Sequence, residues 1–181
     1  MEEKKEKKEK SVWNNYTAEE KQELFQLNED YKAFLSQCKT ERESTEEIVR
    51  QAELKGYRNL QDIIKNGESL KAGDKVYATC MKKAVAMFNI GSRNLEEGMS
   101  ILGAHIDTCR LDLKQKPLYE ADGMAYFDTH YYGGIKKYQW VTLPLALHGV
   151  VVKKDGTVVK IVVGENEDDP VFCVTDLLIH L

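Results

Sequence analysis

The chain has 181 residues, 42% of them hydrophobic, and its 26 Lys and Arg against 30 Asp and Glu give a formal net charge of −4. This hydrophobic content can form a core, whereas the mild acidity argues against nucleic-acid binding, which normally needs a basic face. No apolar run reaches the roughly 20 residues that span a bilayer, so no membrane association is expected. Residues 1–10 form a charged tail without an apolar signal segment, and the four cysteines are dispersed. We therefore expect a disordered tail and a cytoplasmic protein with reduced thiols.

Two helices are predicted in the first third of the chain. Thr17 and Glu20 have the spacing of a capping box, and apolar residues then recur at helical steps, which predicts a helix over 18–38. Ser44 and Glu47 predict the start of a second helix, which Gly56 ends. Core packing explains both apolar faces, so neither helix needs a ligand.

The middle of the chain is richer in β-forming residues. Residues 76–80 and 84–90 predict two short strands. The almost wholly apolar run 99–105 predicts a strand that is buried on both faces in the middle of a covered sheet. Helices followed by buried strands predict an α/β or α+β layered domain up to about residue 107, which we delimit as 11–108.

Residues 109–181 are predicted to form a second, β-rich domain. Asp155-Gly156 lies between two β-rich runs, which is a strong hairpin signal. The apolar run 171–181 is followed by no capping glycine or polar segment. We therefore expect the chain to be the front part of a longer fold.

His105 and Asp107 form the sharpest chemical motif, because they stand two residues apart at the end of the apolar run. On a strand their side chains would point to the same face, where an imidazole can bind zinc and a carboxylate can orient a ligand or a catalytic base. The alternative is a histidine bonded to backbone and an aspartate that begins a turn, and the spacing leaves both open. A Cys109–His105 nucleophile pair is conceivable, but no oxyanion donors are recognisable.

A catalytic zinc site needs at least three protein ligands. The other histidines show none of the recognised zinc-binding spacings; they are His130, His148 and His180. The chain is therefore expected to supply one or two members of a metal site.

Two longer segments carry a family resemblance. Gly103-Ala104-His105-Ile106-Asp107-Thr108-Cys109-Arg110-Leu111 resembles the metal-binding G-A-H-x-D-S-P-x-L segment of the aminopeptidase I and aspartyl aminopeptidase family, with Thr-Cys in place of Ser-Pro. Residues 130–140 and 144–152 are similar to the next block of its bacterial members, and the resemblance runs in order from about residue 11 to 181.

The resemblance implies the N-terminal part of a layered α/β zinc-peptidase domain, followed by an inserted β-rich, barrel-like dimerisation domain. It implies a metalloaminopeptidase that cleaves peptides with a free N-terminus and holds two zinc ions per active site, with Co or Mn as alternatives. It also implies a homo-oligomer in which dimers assemble into a dodecamer.

Residue roles follow from the same resemblance. His105 is the first metal ligand, and Asp107 orients the catalytic side of the site. His180 reaches a neighbouring subunit's active site, where it can donate to the scissile carbonyl. The family's other ligands and its catalytic Glu have no counterpart before Leu181, so the isolated chain is expected to be inactive. The alternative is a non-catalytic, truncated assembly module of the same fold.

Overall fold

The computed structural model describes residues 11–175 and divides the chain into two compact units, 1–38 and 39–181. In the first unit a short turn, Val12–Asn15, precedes helix α1, Ala18–Gln37. The Thr17 hydroxyl accepts from the Glu20 amide at 3.2 Å, and the Glu20 carboxylate accepts from the Thr17 amide at 2.8 Å. The predicted capping box and helix are thus confirmed, while the predicted tail over 1–10 lies outside the described residues.

Helix α2, Glu41–Leu54, opens the second unit and begins earlier than predicted. Thr40 and Glu43 form its capping box. Ser44 and Glu47, which have the same spacing, lie inside the helix and are buried. The helix ends as predicted, since Gly56 adopts a φ of 83° just beyond it.

A three-stranded sheet packs against α2 and the short helix α3, Leu60–Lys65. Its strands are β1, Arg58–Asn59, β2, Lys75–Cys80, and β3, Ala84–Asn89. Strand β2 pairs with β1 in parallel and with β3 in antiparallel orientation. The two predicted strands are confirmed. The buried apolar side chains between helices and sheet are Ala52, Ile63, Val76 and Tyr77.

The predicted buried strand over 99–105 is wrong. The backbone over 99–105 has no regular structure, and a short 3-10 turn, Leu95–Glu97, precedes it. Leu102 is fully exposed. A central strand needs hydrogen-bonded neighbours on both edges. No strand within residues 11–175 pairs with this run.

A long hairpin that the sequence analysis did not predict follows this irregular segment. It joins β4, Arg110–Ala121, to β5, Met124–Tyr132, with a register shift between Leu113 and Leu118. Asp122 and Gly123 form its turn with φ values of 52° and 74°. Positive φ at both central residues matches the twist of antiparallel strands.

The hairpin predicted around Asp155-Gly156 is confirmed. It joins β6, Leu147–Val152, to β7, Val158–Val163, and Gly156 has a φ of 85°. After β7, Phe172 forms an isolated antiparallel β-bridge with Leu145.

The described strands therefore form three separate sheets of three, two and two strands. This confirms a mixed α/β class, while the layered arrangement, the inserted barrel and a domain boundary at 108/109 stay predictions. No helix within residues 11–175 is long and apolar enough to cross a membrane.

Candidate functional site

His105 and Asp107 contact each other directly. The His105 Nδ1 atom lies 3.0 Å from the Asp107 carbonyl oxygen and 3.1 Å from its Oδ1 atom. The His105 side chain is 84% exposed, whereas that of Asp107 is half-buried. An imidazole whose Nδ1 donates to a carboxylate or carbonyl presents the Nε2 lone pair outward, which is the usual arrangement of a metal-binding histidine.

Asp107 is held in its ionised form by its neighbours. The nearby Tyr132 hydroxyl, with a smaller contribution from His105, lowers the pKa of Asp107. The same contact raises the pKa of Tyr132. A carboxylate that remains charged is the better acceptor for the imidazole N–H.

The segment directly after Asp107 is tied to the rest of the second unit. The Thr108 hydroxyl donates to the Lys39 carbonyl at 3.4 Å, just before helix α2 begins. Arg110 forms an ion pair with Glu41 in the first turn of α2, with an Nη1–Oε1 distance of 2.9 Å. Its guanidinium carbon lies 4.0 Å from the centre of the Tyr132 ring on β5.

Gly133, directly after β5, lies against Cys109. It has a φ of 75°, and a Cβ atom added to it would lie 3.0 Å from the Cys109 Sγ atom. The Cys109 thiol donates to the Gly134 carbonyl at 3.4 Å. The thiol is thus engaged with backbone, and the contacts of the described residues give no support to a Cys109–His105 nucleophile pair.

The other histidines among residues 11–175 do not join His105. His130 stacks on Tyr131, with ring centres 5.2 Å apart. His148 lies between two glutamates, and His180 lies outside the described residues. Within residues 11–175 no three His, Cys, Asp or Glu side chains converge to hold a metal. The described residues therefore fit one ligand of a zinc site, His105 oriented by Asp107, and do not complete the site.

The glutamates around His148 belong to two distant segments. Its Nδ1 atom lies 2.9 Å from Glu43 Oε1 on helix α2, and its Nε2 atom lies 2.8 Å from Glu165 Oε1 after β7. Lys160 Nζ lies 3.6 Å from the same Glu43 oxygen. This cluster was not predicted from the sequence, and neither were the contacts of Glu41, Arg110 and Tyr132, because the partners are far apart along the chain.

Comparison with known proteins gives the family. The model of the aminopeptidase I zinc metalloproteases, M18, matches residues 34–181. The chain belongs to the M18 family. A probable M18 family aminopeptidase 1 of Clostridium acetobutylicum is 58% identical over 172 residues, which cover 95% of this chain and 37% of that protein. The chain thus spans little more than a third of the length of this M18 relative.

Solved M18 structures have the same fold over the shared part. Aminopeptidase I from Borrelia burgdorferi superposes with a TM-score of 0.85 at 40% identity, over 94% of this chain and 41% of that one. Aminopeptidase I from Clostridium acetobutylicum superposes with a TM-score of 0.79 at 56% identity, over 95% and 38%. The resemblance noted in the sequence is confirmed at the level of the family.

Proposed function

We propose that the full-length protein is a zinc-dependent aminopeptidase that removes residues from peptides with a free N-terminus. Membership of the M18 family carries this proposal, because the matching model is that of aminopeptidase I zinc metalloproteases. The described residues add a histidine whose outward-facing nitrogen suits a metal and whose other nitrogen is held by Asp107.

His105 would be one ligand of the metal, and Asp107 would fix the tautomer and direction of its ring. Bound zinc would polarise the scissile carbonyl and lower the pKa of a water molecule. Within this chain, Asp107 keeps the His105 Nδ1 proton in place, and the Tyr132 hydroxyl lies near that carboxylate.

The finer parts of the proposal rest on the family resemblance. They are two zinc ions per site, with Co or Mn as possible substitutes, and a catalytic contribution from His180 to a neighbouring subunit. They also include a homo-oligomer built from dimers up to a dodecamer, and a cytoplasmic location, which the exposed free thiols of Cys80, Cys109 and Cys173 suit.

The test is the metal content of the full-length protein and of a His105→Ala variant. We expect the variant to lose most of its zinc by elemental analysis and nearly all peptidase activity, because a ligand is removed. His130→Ala is the matched control, since His130 is also exposed but stacks on Tyr131. Unchanged zinc in His105→Ala would contradict the ligand assignment. A wild-type protein without zinc or activity would favour the non-catalytic assembly module.

A further inference from the structure

Arg110 makes four directed contacts close to the candidate site. It is the first residue of β4, three positions after Asp107, and its side chain is only 24% exposed. The Nε atom donates to Asp112 Oδ1 at 2.7 Å. The Nη1 atom reaches both Glu41 Oε1 at 2.9 Å and the Thr108 carbonyl at 3.3 Å.

This set of contacts uses the geometry of a guanidinium. Arginine presents several donors in a rigid planar fork and can stack on an aromatic ring at the same time. Here the guanidinium donates to Glu41 on helix α2, to Asp112 two positions along β4 and to the Thr108 carbonyl. Its carbon lies over the Tyr132 ring. A lysine ammonium carries the same charge on a single flexible point and cannot replace all four contacts.

Thr108 is consequently fixed from two directions. Arg110 binds its carbonyl oxygen, and its hydroxyl donates to the Lys39 carbonyl ahead of α2. The backbone over 98–109, which includes Thr108, has no regular structure. The place of Asp107, the next residue toward the N-terminus, is therefore set by side-chain contacts rather than by a sheet ladder.

We propose that Arg110 is a positioning residue that holds the turn after Asp107 on the first turn of helix α2 and thereby aims the His105–Asp107 pair. The functional part of this inference rests on the proposed metallopeptidase function, whereas the structural part does not. In this role Arg110 acts through Thr108 and Asp107.

The first arm of the test is independent of metal. In the full-length protein, Arg110→Lys should raise the amide hydrogen-exchange rate of a peptide covering residues 110–113 by about tenfold, because this end of the β4–β5 ladder loses its anchors on Thr108 and α2. The matched control is Lys114→Gln, which removes a cross-strand ion pair to Asp128, at 3.0 Å, on the same hairpin. Exchange as slow as in the wild type would overturn the inference.

The second arm measures function. Arg110→Lys should lower kcat by about 10- to 100-fold with an unchanged KM and zinc content, as expected for a residue behind a metal ligand. It should also alter the visible spectrum of the cobalt-substituted enzyme, which a contribution to stability alone would leave unchanged. Full activity and an unchanged spectrum would overturn the inference while leaving the proposed function intact.

Two further outcomes distinguish a failure of the proposed function from a failure of the inference about Arg110. If the wild type holds no zinc and shows no activity, the proposed function fails, and the exchange arm still decides the structural part. If Arg110→Lys does not fold, Glu41→Gln weakens the same anchor from the helix side. That variant should raise exchange over 110–113, and wild-type exchange there would overturn the inference.

Discussion

His148 joins helix α2 to the β6–β7 hairpin, and we expect this contact to stabilise the fold measurably. His148 and Glu43 are each only 10% exposed. Both ring nitrogens face carboxylate oxygens, which only accept hydrogen bonds. The contact is therefore a charge-assisted hydrogen bond between segments that lie 105 positions apart in the chain.

The magnitude follows from the burial of the pair. Hydrogen bonds to charged groups contribute about 1.5–3 kcal/mol, whereas exposed ion pairs contribute about 0–1 kcal/mol. The Glu43 contact belongs to the first class, and the contact with Glu165, which is 43% exposed, belongs to the second. We expect Glu43→Gln and His148→Gln each to lower the free energy of unfolding by about 2 kcal/mol, with a coupling energy of about 1–1.5 kcal/mol.

The pH dependence of the stability tests the contact between Glu43 and His148 independently. Burial of Glu43 raises its pKa, but the hydrogen bond from His148 and the backbone amide of Lys39 outweigh burial and lower it from 4.5. A lowered folded-state pKa gives stability that is present above the unfolded pKa and is lost as pH falls through the folded one. The stability difference between the wild type and Glu43→Gln should therefore be full near pH 7 and shrink as pH falls below about 4.5.

The assay is urea unfolding of the four proteins of the double-mutant cycle, at pH 7 and at stepwise lower pH. Glu165→Gln serves as the exposed control and should change stability by about 0.5 kcal/mol or less. Lys160, 3.6 Å from Glu43, is another charged neighbour and is left unchanged in every variant. A coupling energy below about 0.3 kcal/mol, the usual limit of additivity, would refute the reasoning.

Two smaller predictions concern the backbone. Gly133→Ala should destabilise the protein by about 1–2 kcal/mol in urea unfolding, because φ is 75° and the new methyl group meets Cys109. Gly134→Ala, with no atom within 4 Å of the added Cβ, should stay within about 0.5 kcal/mol of the wild type. Thr17→Ala should speed hydrogen exchange of the Glu20 amide about fivefold, while Thr17→Ser should not, because serine keeps the capping oxygen.

Local signals in the sequence predicted local structure well. The box of Thr17 and Glu20 and the turn at Asp155-Gly156 both involve residues at most three positions apart. The start of α2 was misplaced because two pairs with the spacing of a capping box follow one another, Thr40 with Glu43 and Ser44 with Glu47. The Ser44 amide already donates to the Thr40 carbonyl within the helix, so only the first pair caps it. The Asp122-Gly123 turn carried the same signal as Asp155-Gly156, so the β4–β5 hairpin could have been predicted.

Contacts between distant segments were beyond prediction. Nothing near His148 in the sequence identifies Glu43 as its partner, and the same holds for Arg110 and Glu41. For the run 99–105 the sequence predicted too much structure. Its apolar composition predicted a buried strand, but burial of a strand depends on neighbouring strands, and Leu102 is exposed. Composition indicates that a segment can be buried, whereas its hydrogen-bonded neighbours decide whether it becomes a strand.

The first turn of helix α2 connects the candidate site to the rest of the second unit. Glu43 uses Oε2 to accept from the amides of Lys39 and Thr40 and Oε1 to receive His148. Glu41, two residues earlier, holds Arg110. Acidic residues at a helix N-terminus are already favoured by the helix dipole, so this turn can keep two carboxylates in fixed positions at little energetic cost. The cap that begins the helix thereby also fixes the segment after Asp107 and the β6–β7 hairpin, which is why a change at Glu41 should be felt at residues 103–109 without any contact between them and Glu41 itself.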